Sequence, residues 1–597
     1  MSQRRKGGTH EKTDRHPVSG GSPVPVPGAA RGGLCAGVGG GGPAHRPNAF
    51  VDEEGGLWTW GSNYSGQVGN GGGGDAEGSW ASGEAFPVQT VPVKIMEDVV
   101  SVSAGGGQMA AVKTDGTLWM WGDNTYGELG DRSVGDRTDS WGHPYQTVPV
   151  QVLDRVAAVD CGSSHTAAIR TDGTLWVWGS NRYGQVGNGG ASDWEAWDGA
   201  PCQSTPVQVL DDVVSVSCGD SVTVAVRSDG SLWGWGSNWC GILDDTIPRD
   251  GDWGECYLTP IKLMDDVAEA AVGFEHIAVV KTDGTLWMWG RLSEGMGPEE
   301  GIVMAYDGGY TQTIPTRILD EVVSVACANQ FTAAIRADGS LWTWGGNYSG
   351  ELGNGGGEVG GPVRVLEDVA AVSASCGGAT LTSVAALRTD GSVYTWGEGS
   401  YGDLGNGRLC DLVLPTPVPA FCDLTACPFA DVGEGAYYRE AVLWALSRGV
   451  TNGTSGDTFS PDAPCTQGQI LSFLWRALGC PEPRRVFIDP YQDLPQSAYY
   501  ARAFRWAYGE GIIPYNVDAD TSCTRSDVVT YLWKLAGSPA VAGRTFLDVP
   551  AGAAYTQAVA WAVSENITGG TTPTTFSPDG ICTRGQIVTF LHRALAE

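Results

Sequence analysis

The chain has no apolar run of the length that a membrane span needs, and it has few histidines and few basic residues. No segment approaches about eighteen consecutive apolar residues. The seven histidines are too scattered to predict a metal site. Lysine and arginine number 36 against 68 acidic residues, which gives a formal net charge of −32. Because phosphate backbones are bound by clustered cations, this balance argues against a nucleic-acid partner.

Catalytic and phosphate-binding motifs are missing as well. No serine lies in a nucleophile elbow, and the glycine clusters follow strand patterns without opening helices. We therefore predict no catalytic residue, metal or cofactor. The two histidines His165 and His276 share a column of the repeat with Gln108, which is typical of a packed strand position rather than of a ligand ring.

What the chain has is an internal repeat, seen most clearly in the octapeptide DGTLWVWG from Asp172 to Gly179. Variants of this octapeptide start at Asp115, Asp229, Asp283, Asp338 and Asp390, and a shorter copy starts at Gly55. The second aromatic residue of each copy is Trp60, Trp121, Trp178, Trp235, Trp289, Trp344 or Trp396, with spacings of 61, 57, 57, 54, 55 and 52 residues. A period this long and regular indicates a repeat architecture.

Each copy reads as about four strands. A β-branched run such as 156–169 precedes an Asp-Gly pair, which favours a two-residue hairpin turn, and aromatic and branched residues follow it. The aspartates beside these glycines are therefore interpreted as turn residues rather than as catalytic acids. Seven small antiparallel sheets predict an all-β, seven-bladed propeller over residues 48–424, after a flexible Gly-, Pro- and Arg-rich tail over residues 1–47. We expect the segment 417–421 to close the ring against the first blade.

These copies resemble the regulator-of-chromosome-condensation repeats, whose pattern is DGxLWxWGxNxxGQLG. The best matches are DGTLWMWGDNTYGELG from Asp115 and DGTLWVWGSNRYGQVG from Asp172. The resemblance implies a seven-bladed propeller. It implies much less about function, because one fold hosts many functions.

Insertions follow the Gly-rich turn in the first five copies and should emerge on one face of the ring. Each carries aromatic residues, and rigid loops rich in aromatics are typical binding surfaces. We predict a protein- or glycan-binding face that contains Trp80, Trp141, Trp194, Trp197, Trp253, Tyr257, Tyr306 and Tyr310. The alternative is that these rings fold back over the rim of their own blades. Several insertions also carry acids, namely Asp75, Asp193, Glu195, Asp252 and Glu299.

Beyond residue 425 the pattern changes to helical periods, and a helix–loop–helix unit recurs three times. The units span residues 425–480, 481–540 and 541–597 and predict an all-α module. They resemble S-layer homology domains, whose motifs are Phe-x-Asp, a Tyr and a Trp on the first helix, Gly-Ile-x-x-Gly, Phe-x-Pro, and a Thr-Arg-Ala-Glu-like start of the second helix. The middle unit has no Phe-x-Pro.

The resemblance implies that this module binds pyruvylated cell-wall polysaccharide. Capping-box threonines at the helix starts leave amides and partial positive charge that favour an anion, and an arginine fork beside them suits a carboxylate. The expected polysaccharide-binding residues are Arg525, Arg584, Thr466, Thr524, Thr583, Asp431, Asp489, Asp548, Trp444, Trp506 and Trp561. The first unit has Gln467 where the arginine belongs, so whether it binds glycan stays open.

Most of the 15 cysteines fit buried sites rather than a disulfide framework. Cys161, Cys218 and Cys327 share one column of the propeller repeat, and Cys465, Cys523 and Cys582 share one position of the helical repeat. Two further pairs, Cys240 with Cys256 and Cys422 with Cys427, are left open as disulfides.

The combined reading is a bacterial cell-surface protein that is held on wall polysaccharide by its helical repeats and displays a propeller for binding. No secretion signal is visible behind Met1, so either the protein stays inside the cell or its true start and signal lie upstream, and the wall-type C-terminal repeats favour the second. A surface enzyme that acts on glycans through the acids of the inserted loops is the first alternative. Guanine-nucleotide exchange is a second alternative, against which the acidic balance and the wall-type repeats both argue.

Overall fold

The computed structural model describes residues 34–36, 47–79, 85–131, 135–238, 241–243, 256–292, 302–304, 310–354, 361–377, 381–422, 427–454, 458–479, 481, 484, 490–491, 494, 498–541 and 546–596. Seven antiparallel sheets follow one another along the chain, each built from a contiguous segment. The predicted seven-bladed all-β propeller is confirmed.

The blades have the same strand order, and four of them carry a short fifth strand at one edge. Blade 1 contains β1 (Leu34–Ala36), β2 (Pro47–Val51), β3 (Leu57–Ser62), β4 (Ala76–Ser79) and β5 (Ala85–Met96); blade 2 contains β6 (Val99–Ala104), β7 (Gln108–Lys113), β8 (Leu118–Asp123), β9 (Arg137–Thr138) and β10 (Pro144–Leu153); blade 3 contains β11 (Val156–Cys161), β12 (His165–Arg170), β13 (Leu175–Ser180), β14 (Trp194–Glu195) and β15 (Pro201–Leu210).

The remaining blades are as follows. Blade 4 contains β16 (Val213–Cys218), β17 (Val222–Arg227), β18 (Leu232–Ser237) and β19 (Cys256–Met264); blade 5 contains β20 (Val267–Val272), β21 (His276–Lys281), β22 (Leu286–Gly290), β23 (Ile302–Met304) and β24 (Tyr310–Leu319); blade 6 contains β25 (Val322–Cys327), β26 (Phe331–Arg336), β27 (Leu341–Gly345) and β28 (Val363–Leu366); blade 7 contains β29 (Val369–Gly377), β30 (Leu381–Arg388), β31 (Val393–Gly397) and β32 (Leu412–Pro417).

The repeated octapeptide builds the turn between the second and third strands. In blade 2 the Asp115 carboxylate accepts hydrogen bonds from the amide and the hydroxyl of Thr117, and that hydroxyl accepts one from Trp119 Nε1. Gly116 has φ of +79°, which glycine adopts at little cost. The repeated aspartates are thus turn residues, as expected.

The second tryptophan of each octapeptide joins neighbouring blades. Trp121 is fully buried and donates its Nε1 hydrogen to the Gln67 carbonyl oxygen of blade 1 at 2.8 Å. Equivalent bonds run from Trp178 to Glu128, Trp235 to Gln185, Trp289 to Ile242 and Trp396 to Glu351. Each of these five rings therefore fills an interface between blades and satisfies a buried carbonyl, whereas the buried Nε1 of Trp344 in blade 6 has no such bond among the described residues.

Of the two predictions about the ends of the ring, the boundary of the tail is wrong and the closure of the ring is confirmed. β1 lies inside the expected tail and pairs with β2, so blade 1 begins by Leu34; three residues are too few to give a readable strand pattern. The segment 417–421 closes the ring against the first blade, as expected, since Val418 and Phe421 share one apolar cluster with Phe50 and Trp60. The ring closes through side chains, because Phe421 packs on Phe50 at 4.7 Å and Trp60 donates to the Asp403 carbonyl oxygen at 2.9 Å.

The C-terminal module contains six helices among its described residues, in three consecutive pairs: α1 (Arg439–Ser447) and α2 (Gln467–Ala477), α3 (Ala501–Gly509) and α4 (Arg525–Leu535), α5 (Thr556–Ser564) and α6 (Arg584–Leu595). One apolar cluster runs through all three pairs. The predicted all-α module of three repeats is therefore present.

A closed cycle of backbone bonds surrounds the axis that relates the three pairs. The Cys465 amide donates to the Cys582 carbonyl, Cys523 to Cys465 and Cys582 to Cys523, at 2.8–3.0 Å. All three side chains are fully buried free thiols, and Cys161, Cys218 and Cys327 are buried as well. Cys422 and Cys427 are also free thiols, so that pair forms no disulfide. Cys240 lies outside the described residues.

Candidate polysaccharide and propeller-face sites

The second helix of each repeat starts with the capping box that the sequence predicts. Thr466, Thr524 and Thr583 each accept a hydrogen bond from the amide three residues on, and the side chain at that position bonds back to the threonine amide. These threonines order the helix starts and thereby fix the residue that follows each of them.

The expectation that free helix amides face an anion is wrong, because protein carbonyls already occupy them. The first two amides of α4 donate to the Gly580 and Pro578 carbonyl oxygens of the third repeat. Those of α6 donate to Ala463 and Pro461, and those of α2 to Thr521 and Ala519. The first amides of each of these helices are thus hydrogen-bonded to the neighbouring repeat, and any anion site must come from side chains.

Arg525 is buried between repeats, where its exposed fraction is only 6 %. Its Nε donates to the Phe576 carbonyl oxygen at 3.0 Å and its Nη2 to the Thr568 hydroxyl at 3.2 Å. The guanidinium lies 5.0 Å from the Phe576 ring centroid and 5.2 Å from that of Phe590. Tyr437 of the first repeat is close enough to interact with it electrostatically.

Arg584 repeats this arrangement one step round the axis, with an exposed fraction of 3 %. Nε donates to the Phe459 carbonyl oxygen at 2.9 Å, and Nη2 donates to the Thr451 hydroxyl at 3.3 Å. Phe459 and Phe473 flank the guanidinium at 5.0 and 5.3 Å. We term the surroundings of Arg525 and of Arg584 the two arginine grooves.

Neither arginine forms an ion pair with a carboxylate among the described residues. Burial lowers the pKa of both guanidinium groups below the usual arginine value, yet arginine stays charged in proteins. The second terminal nitrogen of each, Nη1, has no hydrogen-bond partner in the described part of the chain and is accessible to solvent. Asp431 interacts electrostatically with Arg584 but forms no ion pair with it. A positive charge without a directly paired carboxylate, with a donor still open, is suited to a carboxylate ligand.

The third groove is chemically different. Gln467 occupies the arginine position, donates to Asp527 Oδ2 at 3.0 Å and accepts from the Tyr531 hydroxyl at 2.8 Å. A cavity of about 530 Å³ opens beside it, lined also by Trp533 and Tyr555. The carboxylate of Asp527 makes this groove unfavourable for an anion.

The other predicted polysaccharide contacts are mostly structural. The Asp431 carboxylate accepts the amides of Phe459 and Ser460 at 2.8 and 2.7 Å, and that of Asp548 accepts those of Phe576 and Ser577. These acids hold the groove walls. Trp506 and Trp561 are buried in the helical core and Trp444 packs against it, so they contribute to the module's core, and their contact with a ligand stays a prediction. Asp489 lies outside the described residues.

Sequence reasoning missed the partners that shape the arginine grooves. Thr451 and Thr568 belong to the Gly-Ile-x-x-Gly motif that was identified, but nothing in the motif indicates that their hydroxyls meet an arginine of another repeat. Tyr437 and Tyr499 follow the Phe-x-Asp motif and approach Arg525 and Arg584 respectively.

On the propeller, the insertions form short hairpins that continue the last strand of their blades. β4, β9, β14 and β23 pair with β5, β10, β15 and β24 respectively. Asp75 accepts the Thr90 amide at 2.7 Å and Asp193 accepts that of Ser204 at 2.7 Å. These two acids anchor the hairpins, which removes support for the alternative in which they catalyse. Asp252 and Glu299 lie outside the described residues.

The predicted aromatic face divides into two groups. Trp194 and Tyr257 are half-buried and pack against blade residues, as the fold-back alternative expects. Trp141 and Trp197 are each 69 % exposed. Trp80, Trp253 and Tyr306 lie outside the described residues, and Tyr310 starts β24.

Trp141 and Trp197 belong to neighbouring blades and share a row with His143, which sequence reasoning missed. The ring centroids of Trp141 and His143 are 6.2 Å apart with 34° between planes, and those of His143 and Trp197 are 5.1 Å apart with 35°. We call these three residues the aromatic row. The chain thus presents an aromatic surface and two arginine grooves on separate modules.

Comparisons with known proteins give family matches in both modules. The model of the regulator of chromosome condensation (RCC1) repeat matches residues 54–112, 115–169, 172–226, 338–382 and 390–438, and a second RCC1 repeat model matches 99–128, 156–185, 213–242 and 322–351. The S-layer homology domain model matches residues 428–471 and 545–588. The middle helical repeat has no such match, but it has the same helix pair and capping box.

Several curated relatives are similar over about half of the chain. The chain is 30 % identical over 285 residues to the RCC1 domain-containing protein RUG3 of Arabidopsis thaliana, which covers 44 % of this chain and 58 % of that protein. It is 29 % identical to the ultraviolet-B receptor UVR8 of the same plant over 54 % of this chain and 70 % of the receptor. A secretion-regulating guanine nucleotide exchange factor of Bos taurus is 27 % identical over 49 % of this chain and 62 % of that protein. The chain thus spans about three fifths of the first of these relatives.

Solved structures resemble the chain at low identity. Yeast RCC1 (Prp20) bound to Kap60 has 18 % identity and a TM-score of 0.49, covering 70 % of this chain and 91 % of that one. Human WBSCR16 has 23 % identity and a TM-score of 0.48, covering 63 % of this chain and 96 % of that one. Within the described residues, no helix is long and apolar enough to cross a membrane, and no group of three metal-ligating side chains comes together.

Proposed function

Because the chain belongs to the family of RCC1-repeat propellers and carries S-layer homology domains behind the propeller, we propose that it is a bacterial cell-surface protein whose helical module binds pyruvylated wall polysaccharide. The propeller is the displayed binding module. The ketal of a pyruvylated sugar carries a carboxylate, and Arg525 and Arg584 are the residues that receive it.

One observation carries the proposal: two buried guanidinium groups lack a carboxylate partner among the described residues. A buried charge is costly unless it is paired. Backbone and threonine oxygens engage two nitrogens of each arginine and orient the group, so that the solvent-accessible Nη1 can donate to a ligand. Pairing with a ketal carboxylate satisfies both the charge and the open donor.

The wall polymer is tested first with the unaltered protein. Full-length protein is mixed with native sacculi and with sacculi from which the ketal groups were removed by mild acid. We expect co-sedimentation with the native walls only. Equal binding to both preparations contradicts recognition of the ketal carboxylate.

The arginines are tested by substitution with glutamine, the residue that this chain itself uses at the third position. Arg525→Gln with Arg584→Gln should weaken wall binding at least tenfold, which corresponds to the loss of about 1.4 kcal/mol or more. Gln467→Ala is the matched control and should leave binding unchanged. Because these side chains also link repeats, thermal unfolding must show that the variants are folded; a folded double variant that binds as wild type excludes the arginines.

A further inference from the structure

The aromatic row is a surface that the wall-binding function does not use. Its two indoles are the most exposed tryptophans among the described residues, and each stands on a tight turn of a different blade. The following inference rests on the proposed role of the propeller as the displayed module, and it names the class of ligand.

Both turns are fixed by hydrogen bonds that do not involve the indole rings. In blade 2, Asp139 Oδ1 accepts the amides of Trp141 and His143 at 2.9 and 2.8 Å. In blade 3, Asp198 accepts the Ala200 amide at 3.0 Å and the Arg182 guanidinium at 2.9 Å. The rings are therefore presented in a preorganised way, which reduces the entropy that a ligand must offset on binding.

The centre of the row is polar. His143 Nδ1 bonds Asp139 Oδ2 at 2.9 Å, which leaves Nε2 without a partner among the described residues and accessible to solvent. An open imidazole nitrogen between two indole faces supplies a hydrogen-bonding atom to a ligand that lies across the row. A purely apolar partner segment would leave this atom unpaired.

The surroundings of the row are acidic. Asp139 is hydrogen-bonded to His143, Asp198 is paired with Arg182, and Glu195, two residues before Trp197, is exposed. The chain as a whole carries a formal charge of −32. The surface is thus unfavourable for an anionic polymer.

We infer that the aromatic row binds a neutral, extended glycan. A pyranose ring has one apolar C–H-bearing face, which stacks on an indole, and a hydroxyl edge, which bonds an imidazole nitrogen. The three rings lie close together, with centroids 6.2 and 5.1 Å apart, so that they form one aromatic surface on which sugar rings can stack. The ligand spans blades 2 and 3.

The test uses the full-length protein and neutral β-linked hexasaccharides of glucose, N-acetylglucosamine and xylose. We expect at least one of them to change the tryptophan fluorescence with saturation, and Trp141→Ala with Trp197→Ala to weaken that binding at least tenfold. Tyr348→Ala is the matched control, since Tyr348 is a 63 % exposed aromatic on blade 6, and it should bind as wild type.

Two results overturn the inference: no binding of any of these oligosaccharides at millimolar concentration, or binding that survives the double substitution. Retention of a protein partner that requires both tryptophans, without glycan binding, overturns it as well. Co-sedimentation with sacculi is measured in parallel. It depends on the arginine grooves, so failure of the row and failure of wall anchoring are distinguishable.

Discussion

Two histidines show how single residues of the propeller respond to burial. His165 lies at the start of β12, fully buried, and its Nε2 bonds the Thr223 hydroxyl of the next blade at 2.9 Å. Burial lowers the pKa of His165 to about 3 and that of His276 to about 4. Gln108, in the same column of blade 2, bonds the Gly162 carbonyl oxygen across the equivalent interface between blades 2 and 3 through its amide. Both imidazoles are neutral in the folded protein.

This neutrality predicts a specific pH dependence. The folded pKa of His165 lies below the unfolded value of about 6.5, so its contribution to stability is complete above that pH and is lost as the pH falls towards 3. The loss is up to about 1.4 kcal/mol per pH unit from this one group. His165→Gln, which copies blade 2, should flatten the fall of the propeller's unfolding midpoint between pH 7 and 5. Identical slopes for wild type and variant would contradict it.

At the scale of elements, the helix starts decide which groove takes an anion. In both arginine grooves the third helix residue of the adjoining repeat is a glutamine, Gln469 or Gln586, whereas in the third groove it is Asp527. Its carboxylate lies 3.0 Å from Gln467 Nε2. An arginine placed at 467 would therefore meet an internal counterion.

A charge exchange tests this account. Gln467→Arg alone should add no carboxylate site, because Asp527 neutralises the new cation. Gln467→Arg with Asp527→Gln should raise the number of pyruvylated oligosaccharides bound per chain from two to three, measured by calorimetry. An unchanged stoichiometry in a folded double variant shows that the local charge does not set the binding.

The sequence predicted elements better than their surroundings. The octapeptide carries its own strand and turn signals, and the Thr-x-x-Gln spacing carries its own cap, so blades and helices were predictable from local residues. The burial of Arg525 was not, since it depends on Thr568 and Phe576, which lie more than 40 residues away. Nor could the sequence separate the exposed Trp197 from the packed Trp194, because both occupy one insertion.

At the scale of the whole molecule, the propeller contacts the helical module through its last blade. Arg502 of α3 forms an ion pair of 2.8 Å with Asp411, just before β32. Asn452 of the first helical repeat donates to the Leu414 carbonyl oxygen in β32 at 3.1 Å. Burial and the nearby Glu398 raise the pKa of Asp411 well above its usual value, and Arg502 opposes that rise.

Removal of this arginine should loosen the two modules in a pH-dependent way. A carboxyl whose folded pKa is raised stabilises the fold at low pH and loses that contribution as the pH rises through the folded value. Arg502→Ala raises the pKa of Asp411 further, so the interface should weaken more between pH 5 and 8 than in wild type. Small-angle scattering would show this as a larger radius at pH 8; equal radii would contradict it.

The way in which the ring closes has a consequence for its evolution and engineering. Blades 1 and 7 each consist of contiguous strands, and the Trp60–Asp403 contact at their junction copies the contact found between other neighbours. Among the described strands, none pairs across the seam between blades 1 and 7, so this junction is held by the same kind of contact as the other boundaries between blades. The chain should therefore tolerate circular permutation, with new ends placed between two other blades and the old ends joined. Whole blades could also be gained or lost by duplication without any change to a special closing strand.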